Sequence, residues 1–306
     1  MRHNRRQFIK TLIAGGMATA LPFRSVGGNN NHSLTILHTN DVHSHLDPFP
    51  PDHPEFPNIG GFARRAALIE QLREKHPNLI LVDAGDIFQG TPYFNFFGGE
   101  PELKLMSDMR YDAATIGNHE FDNGLTHLAD QMKHAKFPFI CTNYDFSDTI
   151  LKGKTLPWKI IEKGEFRIGL LGLGINPDGL ISPSNYEGMK WLDPVQTGEE
   201  TARFLKKEKK CNLVVAISHL GYESTPDRPE SDIKTARQTS SIDIIIGGHT
   251  HTFMKKPDII KNKDGQDVII NQVGWGGVML GQIDVSMTRE QPEILATQHF
   301  ISIKLV

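Results

Sequence analysis

Five short apolar runs in this chain each end on residues that ligate metals or move protons. Leu34 to Thr39 runs into Asn40-Asp41-Val42-His43, and Leu79 to Val82 runs into Asp83-Ala84-Gly85-Asp86. Ala113 to Ile116 leads into Gly117-Asn118-His119-Glu120-Phe121-Asp122. Leu213 to Ile217 leads into Ser218-His219-Leu220-Gly221, and Ile242 to Ile246 into Gly247-Gly248-His249-Thr250-His251. Polar groups clustered in this way compete for solvent or a partner, so they are costly to place without a task. In open α/β sheets, ligands bind outside the carboxyl ends of the strands. Five such tips point to one polyvalent site.

The donor set narrows the chemistry. Asp41, His43, Asp86, Asn118, His219, His249 and His251 supply two carboxylates, one amide oxygen and four imidazoles. Imidazole with carboxylate suits zinc, manganese or iron, whereas calcium and magnesium favour oxygen ligands. Seven donors are too many for one catalytic ion that keeps an open position. Two divalent ions sharing a bridging carboxylate use them sensibly. Such pairs sit about 3.5–4 Å apart and activate a water for in-line attack on phosphorus. His119 is then uncommitted. Asp122, three residues on, is placed to orient it and keep it protonated, as expected of a group that stabilises a phosphoryl oxygen or helps the leaving group depart.

In order along the chain, Asp41-x-His43, Gly85-Asp86, Gly117-Asn118-His119-Glu120, His219 after a strand, and Gly248-His249-x-His251 resemble the calcineurin-like metallophosphatase superfamily. The fuller stretches Thr39–His43, Gly117–Asp122 and Ile245–His251 look like its 5′-nucleotidase branch, and the resemblance runs from about Leu34 to Val285. It implies a four-layer αββα sandwich of two mixed sheets flanked by helices. It implies one metal held by Asp41, His43, Asp86 and His251, and a second held by Asp86, Asn118, His219 and His249. Asp86 would bridge them, with His119 and Asp122 as the catalytic dyad. The substrate implied is a phosphate ester, foremost a nucleotide. Family members usually carry a C-terminal domain that holds the nucleoside, and this sequence stops at Val306, where that domain would begin. The expectation is that such a domain is absent, so either the chain acts alone on loosely discriminated esters or a separately encoded domain completes the site. Hydrolysis of a cyclic phosphodiester or another ester on the same core is the alternative within enzymes. A non-catalytic metal- and nucleotide-binding module is disfavoured, because such a module has no use for His119.

The elements that must position these residues read as alternating strands and helices, and therefore as βαβ units with a largely parallel sheet. A helix from Gly61 to about Lys75 has Phe62, Ala66, Ile69 and Leu72 on one face; Arg64, Arg65, Glu70 and Glu74 read as its solvated face. Further helices are expected over Glu102–Met109, Leu125–His134 and from Pro194 to about Lys209, and a strand over Phe137–Cys141. Trp158–Lys163 and Phe166–Leu173 read as a hairpin, and after His251 the chain becomes β-rich. A two-sheet sandwich with outer helices accounts for both halves, one sheet carrying the parallel core and the other the late hairpins. The proline-rich Ser44–Gly60 stretch is a long stiff loop of the functional kind. His45 reads as a loop histidine and His38 as an interior one. Trp275, between two glycines, fits either a substrate-facing aromatic or a packed hairpin residue.

Composition sets the remaining bounds. The 306 residues are 38% hydrophobic and 23% charged, as in a globular protein with a buried core. A formal net charge of −3 gives no case for nucleic-acid binding. No acidic residue precedes Asp41, and Arg5-Arg6 is followed by an uncharged stretch from Thr11 to Phe23. That stretch is shorter than the about 20 apolar residues of a membrane span. With Ala18-Thr19-Ala20 it resembles a twin-arginine export signal. Residues 1–31 are therefore expected to be signal and leader, and 32–306 the catalytic domain of a periplasmic or otherwise exported protein. Cys141 and Cys211 read first as buried free thiols, with a disulfide the alternative in an exported protein, and are too few for a thiolate metal site.

Overall fold

The computed structural model describes residues 32–287 and 292–301. The signal and leader expected over residues 1–31 lie outside the described residues. Strands β1 (Ser33–Thr39), β2 (Leu79–Asp83) and β3 (Ala113–Ala114) alternate with helices α1 (Phe62–Lys75), α2 (Pro92–Phe97) and α3 (Glu100–Asp108). After α4 (Gly124–Gln131) come β4 (Tyr144–Asp145), the hairpin β5 (Trp158–Lys163) and β6 (Phe166–Gly174), and β7 (Lys190–Trp191). The chain continues through α5 (Pro194–Lys207), β8 (Leu213–His219), α6 (Asp232–Gln238) and β9 (Ile244–Ile246). It closes with β10 (Asp258–Lys261), β11 (Asp267–Asn271), β12 (Met279–Met287) and β13 (Pro292–Phe300).

Strand side chains point to opposite faces in turn, and this alternation builds the layers. Leu34 and Ile36 of β1, with Ile80 and Val82 of β2, meet Ile168, Leu170, Val215, Ile217, Ile244 and Ile246 of a second sheet. Leu37, Leu79 and Leu81 point the other way, onto Phe62, Ile69 and Leu72 of α1 and Leu103 and Met106 of α3. On the far side, Leu171, Leu173, Val214 and Ala216 pack on Ala202 and Leu205 of α5 and Ala236 of α6. The layers therefore run helix, sheet, sheet, helix. Burial on both faces is why these strands read as continuous apolar runs.

The division of strands between sheets differs from the expectation. One sheet has the order β13-β12-β1-β2-β3 and the other β10-β11-β9-β8-β6-β5. Each combines a parallel portion with antiparallel strands beside it, so the parallel core and the hairpins are not segregated. The late hairpin splits from its neighbours because β12 pairs with β1, Leu34 opposite Val285, while β11 pairs with β9.

Three smaller differences have local causes. The expected strand over Phe137–Cys141 makes only isolated bridges, Phe139 with Ala114 and Ile140 with Leu156. Helices α2 and α6 are short and carry little periodicity; α6 is marked instead by Ser231, whose hydroxyl caps the Lys234 N–H at 3.1 Å. Arg65 is fully buried, not solvated. It falls three residues after Phe62 and four before Ile69, which is the core face itself. Its guanidinium lies 4.4 Å from the Phe62 ring centroid, and its charge acts on buried Asp83 and Tyr111. Cys141 and Cys211 are free and buried, as read from the sequence. Among the described residues no helix is long and apolar enough to cross a membrane.

Ile36 is fully buried between the sheets. Ile36→Ala should cost about 2–5 kcal/mol, seen in urea as a lower midpoint at unchanged slope. A cost below about 0.5 kcal/mol, the scale of surface substitutions, would show that the two sheets do not interlock there.

Candidate active site

Adjacent parallel strands β1 and β2 end together, and their pairing continues into the loops beyond them. The Asp41 N–H donates to Gly85 O at 2.9 Å, His43 N–H to Asp86 O at 3.0 Å and Ser44 N–H to Ile87 O at 2.9 Å. The second sheet reaches the same point. The His249 N–H donates to both Asp41 carboxylate oxygens, at 3.0 and 3.1 Å, and His219 Nδ1 stands 2.6 Å from Ala84 O. Such close approach requires glycine at two places. A Cβ on Gly117 would collide with the Asp86 carboxylate, and one on Gly248 would lie 2.8 Å from His219 Nδ1. The tips also turn sharply: Asp41, His43, Asp86, His249 and His251 have φ of 49°, 50°, 53°, 71° and 51°. Left-handed backbone is uncommon outside glycine and costs on the order of 1–3 kcal/mol at each position.

The structure brings together all nine residues singled out from the sequence. The ligand atoms of Asp41, His43 and His251 lie within 4.8 Å of one another, as do those of Asp86, His219 and His249, and those of His43, Asp86 and His119. His43 Nε2 and His251 Nε2 face each other at 2.9 Å, and His251 Nε2 is 3.4 Å from Asp41 Oδ1. Asn118 Oδ1 is 2.9 Å from His249 Nδ1. Asp86 lies between the groups, its Oδ2 3.0 Å from His219 Nε2 and 3.9 Å from His43 Nε2.

This arrangement fits divalent cations. Facing imidazole nitrogens compete for a single proton, whereas both can donate lone pairs to an ion. His219 Nε2 is buried and makes no hydrogen bond of acceptable geometry despite its nearness to Asp86. Burial pushes the Asp86 carboxyl upward, but the facing charges of His219, His43 and His119 hold it well below the usual carboxylate range. Burial lowers the His219 imidazole, yet Asp86 and then Asp41 raise it to about 10. His249, lowered to about 4 by burial and then by His219, is a neutral donor. Mixed imidazole and carboxylate donors again favour zinc, manganese or iron.

His119 stands at the edge of this cluster, its ring centroid 5.3 Å from that of His43. Its N–H donates to Asp86 Oδ1 at 2.9 Å, and its Nδ1 lies 2.8 Å from Asp122 Oδ2. That contact leaves Nε2 as the other ring nitrogen. Burial alone would lower the imidazole, but the hydrogen bond to Asp122 and the charge of Asp86 raise it to about 9.

Sequence reasoning gave no role to the residues that hold these groups. The buried Glu120 carboxylate accepts N–H groups of Gly117, Asp86, Ile87 and Phe88, at 2.6, 3.0, 2.8 and 3.2 Å. Its position three residues after Gly117 was the available signal. Asn40 accepts the Val273 N–H at 3.0 Å and donates to Gly274 O at 2.7 Å. Gln272 donates to Gly248 O at 2.9 Å and accepts the Thr252 N–H at 3.1 Å, so it brackets His249 and His251. Buried Asp232 accepts from Ser218 Oγ at 2.5 Å and from Gln272 Nε2 at 3.2 Å. His45 is a loop residue whose Nδ1 is 2.9 Å from His43 O, and His38 is interior, with Nε2 2.8 Å from Asn271 Nδ2.

Residues 34–253 match the calcineurin-like phosphoesterase family. The chain is 36% identical over 273 residues to a snake venom 5′-nucleotidase of Crotalus adamanteus, a match covering 82% of this chain and 45% of that one. It is 32% identical over 273 residues to the 5′-nucleotidase of Homo sapiens, covering 82% and 46%. Among solved structures, the 5′-nucleotidase precursor from Thermus thermophilus matches with a TM-score of 0.76 and 33% identity, over 88% of this chain and 55% of that one. The chain spans about half the length of the curated relatives it matches.

The His119–Asp122 contact has a consequence for titration. The folded histidine is raised from 6.5 to about 9, so its contribution to stability is complete below pH 6.5 and is lost as pH rises through about 9. In chelator-treated protein, Asp122→Asn should move the His119 midpoint, followed by NMR of the imidazole, down toward 6.5. An unmoved midpoint would assign the shift to Asp86 instead.

Proposed function

The chain belongs to the calcineurin-like phosphoesterase family, and from that premise we propose that it is a two-metal phosphomonoesterase acting on nucleotides in the manner of a 5′-nucleotidase. The observation that carries the reading is the Asp86 carboxylate, set between two groups of imidazole and carboxylate donors with the His119 N–H on its other oxygen. Asp41, His43, Asp86 and His251 would hold one divalent ion; Asp86, Asn118, His219 and His249 would hold the other. When bound, the pair supplies charge for the phosphoryl oxygens and lowers the pKa of water for in-line attack. The chain does the rest. Gly85, Glu120 and Asn40 fix the backbone of the tips before substrate arrives, so little reorganisation remains for the reaction. Asp122 keeps the proton on His119 Nδ1 and points Nε2 outward, where it donates to a phosphoryl or leaving-group oxygen. The nucleotide as substrate is supported by the relatives whose names specify 5′-nucleotidase. The reading includes export to the periplasm or beyond, supported by Arg5-Arg6 and the uncharged stretch that follows.

Stripping the protein with a chelator should abolish hydrolysis of AMP and p-nitrophenyl phosphate, and manganese or zinc should restore it, with bis(p-nitrophenyl) phosphate a much poorer substrate. A preference for the diester would favour a phosphodiesterase. No turnover of any ester by fully metal-loaded protein would leave a binding module.

The two central residues should separate by metal content. Asp86→Ala should bind both ions poorly by elemental analysis. His119→Ala should keep its metal while kcat falls about 10²–10⁴-fold. Metal loss in the His119 variant would make that residue a ligand and remove it as the proton donor.

A further inference from the structure

Trp275 was left with two roles by the sequence, and its surroundings separate them. The indole is half-buried and stacks on His251, centroids 5.9 Å apart and planes 17° from parallel. Its edge meets Phe49 at 5.6 Å and His45 at 5.4 Å. The backbone on both sides is tied to the segment bearing Asp41. The Gly276 N–H donates to Asp41 O at 2.7 Å, and Asn40 Nδ2 donates to Gly274 O at 2.7 Å. The ring is therefore held in register with the cluster and is not a loose surface aromatic.

It also lines a cavity. His43, His119 and His251 form one end of an open pocket of about 490 Å³; His45, Phe49, His53, Gln89, Gly90 and Trp275 line the remainder. That volume falls in the usual range for small-molecule sites. No Lys, Arg, Asp or Glu lines it. One end thus faces the groups proposed to act on phosphate, and the other offers aromatic faces and the exposed Gln89 amide. Such walls favour a flat, uncharged ring with hydrogen-bonding edges over an aliphatic polyol. Stacking on an aromatic side chain is worth having for any base, because every base has a π-face.

We propose that this pocket seats the planar heterocyclic portion of the ester's leaving group, and that Trp275 is a specificity-determining residue for it. The proposal rests on the phosphomonoesterase reading above for its orientation, with phosphate at the His119 end. It concerns a subsite of this domain, built from the Ser44–Gly60 loop and the turn after β11.

The test compares two esters that differ only in the ring. AMP and ribose 5-phosphate share the leaving oxygen and the sugar, so the ratio of their kcat/KM values isolates the base. Metal-loaded full chain should prefer AMP. Trp275→Ala should cut that ratio by about 5–150-fold, the span expected for one lost stacking partner, chiefly through KM, and Trp275→Phe should restore most of it. Parallel losses on both esters would overturn the proposal and make Trp275 a support for His251. Gln89→Trp, at an exposed rim position, should fill the pocket and lower the same ratio if the alanine variant fails to fold; an unchanged ratio there counts against the subsite. Adenosine binding by equilibrium dialysis gives a readout without chemistry. Wild type should bind it and Trp275→Ala should not. Equal binding by both overturns the subsite. Absence of turnover with binding intact would instead sink only the phosphomonoesterase reading.

Discussion

The Asp41 carboxylate takes the His249 N–H on both of its oxygens, and in doing so ties the end of one sheet to the end of the other. The remaining geometry depends on that junction. It brings the loops after β1 and β9 together, so the donors they carry converge. The contact between His219 and Ala84 O makes a second tie a few residues away. Together they close the sandwich at its carboxyl end, where strands of both sheets leave polar residues facing one another. The apolar side chains between the sheets, from Leu34 to Ile246, hold the layers at the spacing that allows these short contacts.

Closing the sandwich buries charge. Asp41, Asp83, Asp86, Glu120 and Asp232 are each 2% exposed or less. Carboxylates in such surroundings must be compensated. Glu120 accepts four backbone N–H groups, Asp232 accepts from Ser218 and Gln272, and Asp83 accepts from Thr39 and the Gly85 N–H near the Arg65 charge, yet burial still raises all three carboxyls to about 7. Asp41 and Asp86 differ, because imidazoles that can also donate to a cation surround them. The charges of Asp86 and then Asp41 raise His219 to about 10 against the effect of burial, which favours a proton on it when no ion is bound. Metal binding would displace that proton, so folding of the site and metal affinity are linked through pH.

Strain is concentrated at the same residues. Asp41, His43, Asp86, His249 and His251 all have left-handed backbone, which persists only where surrounding contacts over-determine it. Here the clamps are Glu120, Asn40 and Gln272, with the loop-to-loop hydrogen bonds of β1 and β2. The benefit is preorganisation: the donors are aimed before any ion or substrate is bound.

Much of this was legible in the sequence because it is local. Continuous apolar runs marked the strands, and the residue types at their ends marked the donor set, so Asp41, His43, Asp86, Asn118, His119, Asp122, His219, His249 and His251 could be grouped from the sequence. A strand tip is a short-range signal, and its chemistry is carried by the residues themselves. What the tertiary structure alone decided involves groups far apart in the chain. Glu120 closes on Asp86 and Phe88 more than 30 positions away, Asn40 on Gly274 more than 230 away. Which sheet receives the last hairpin was settled by β12 pairing with β1 rather than with β11, the strand before it in sequence. Arg65 is buried because Asp83 and Tyr111 lie beneath its helix, and Trp275 meets His251 because Asn40 anchors its turn. Propensity and pattern act over a few residues; these contacts join side chains to backbone or to other side chains from distant parts of the chain, and nothing in the local sequence marks which partner each will meet.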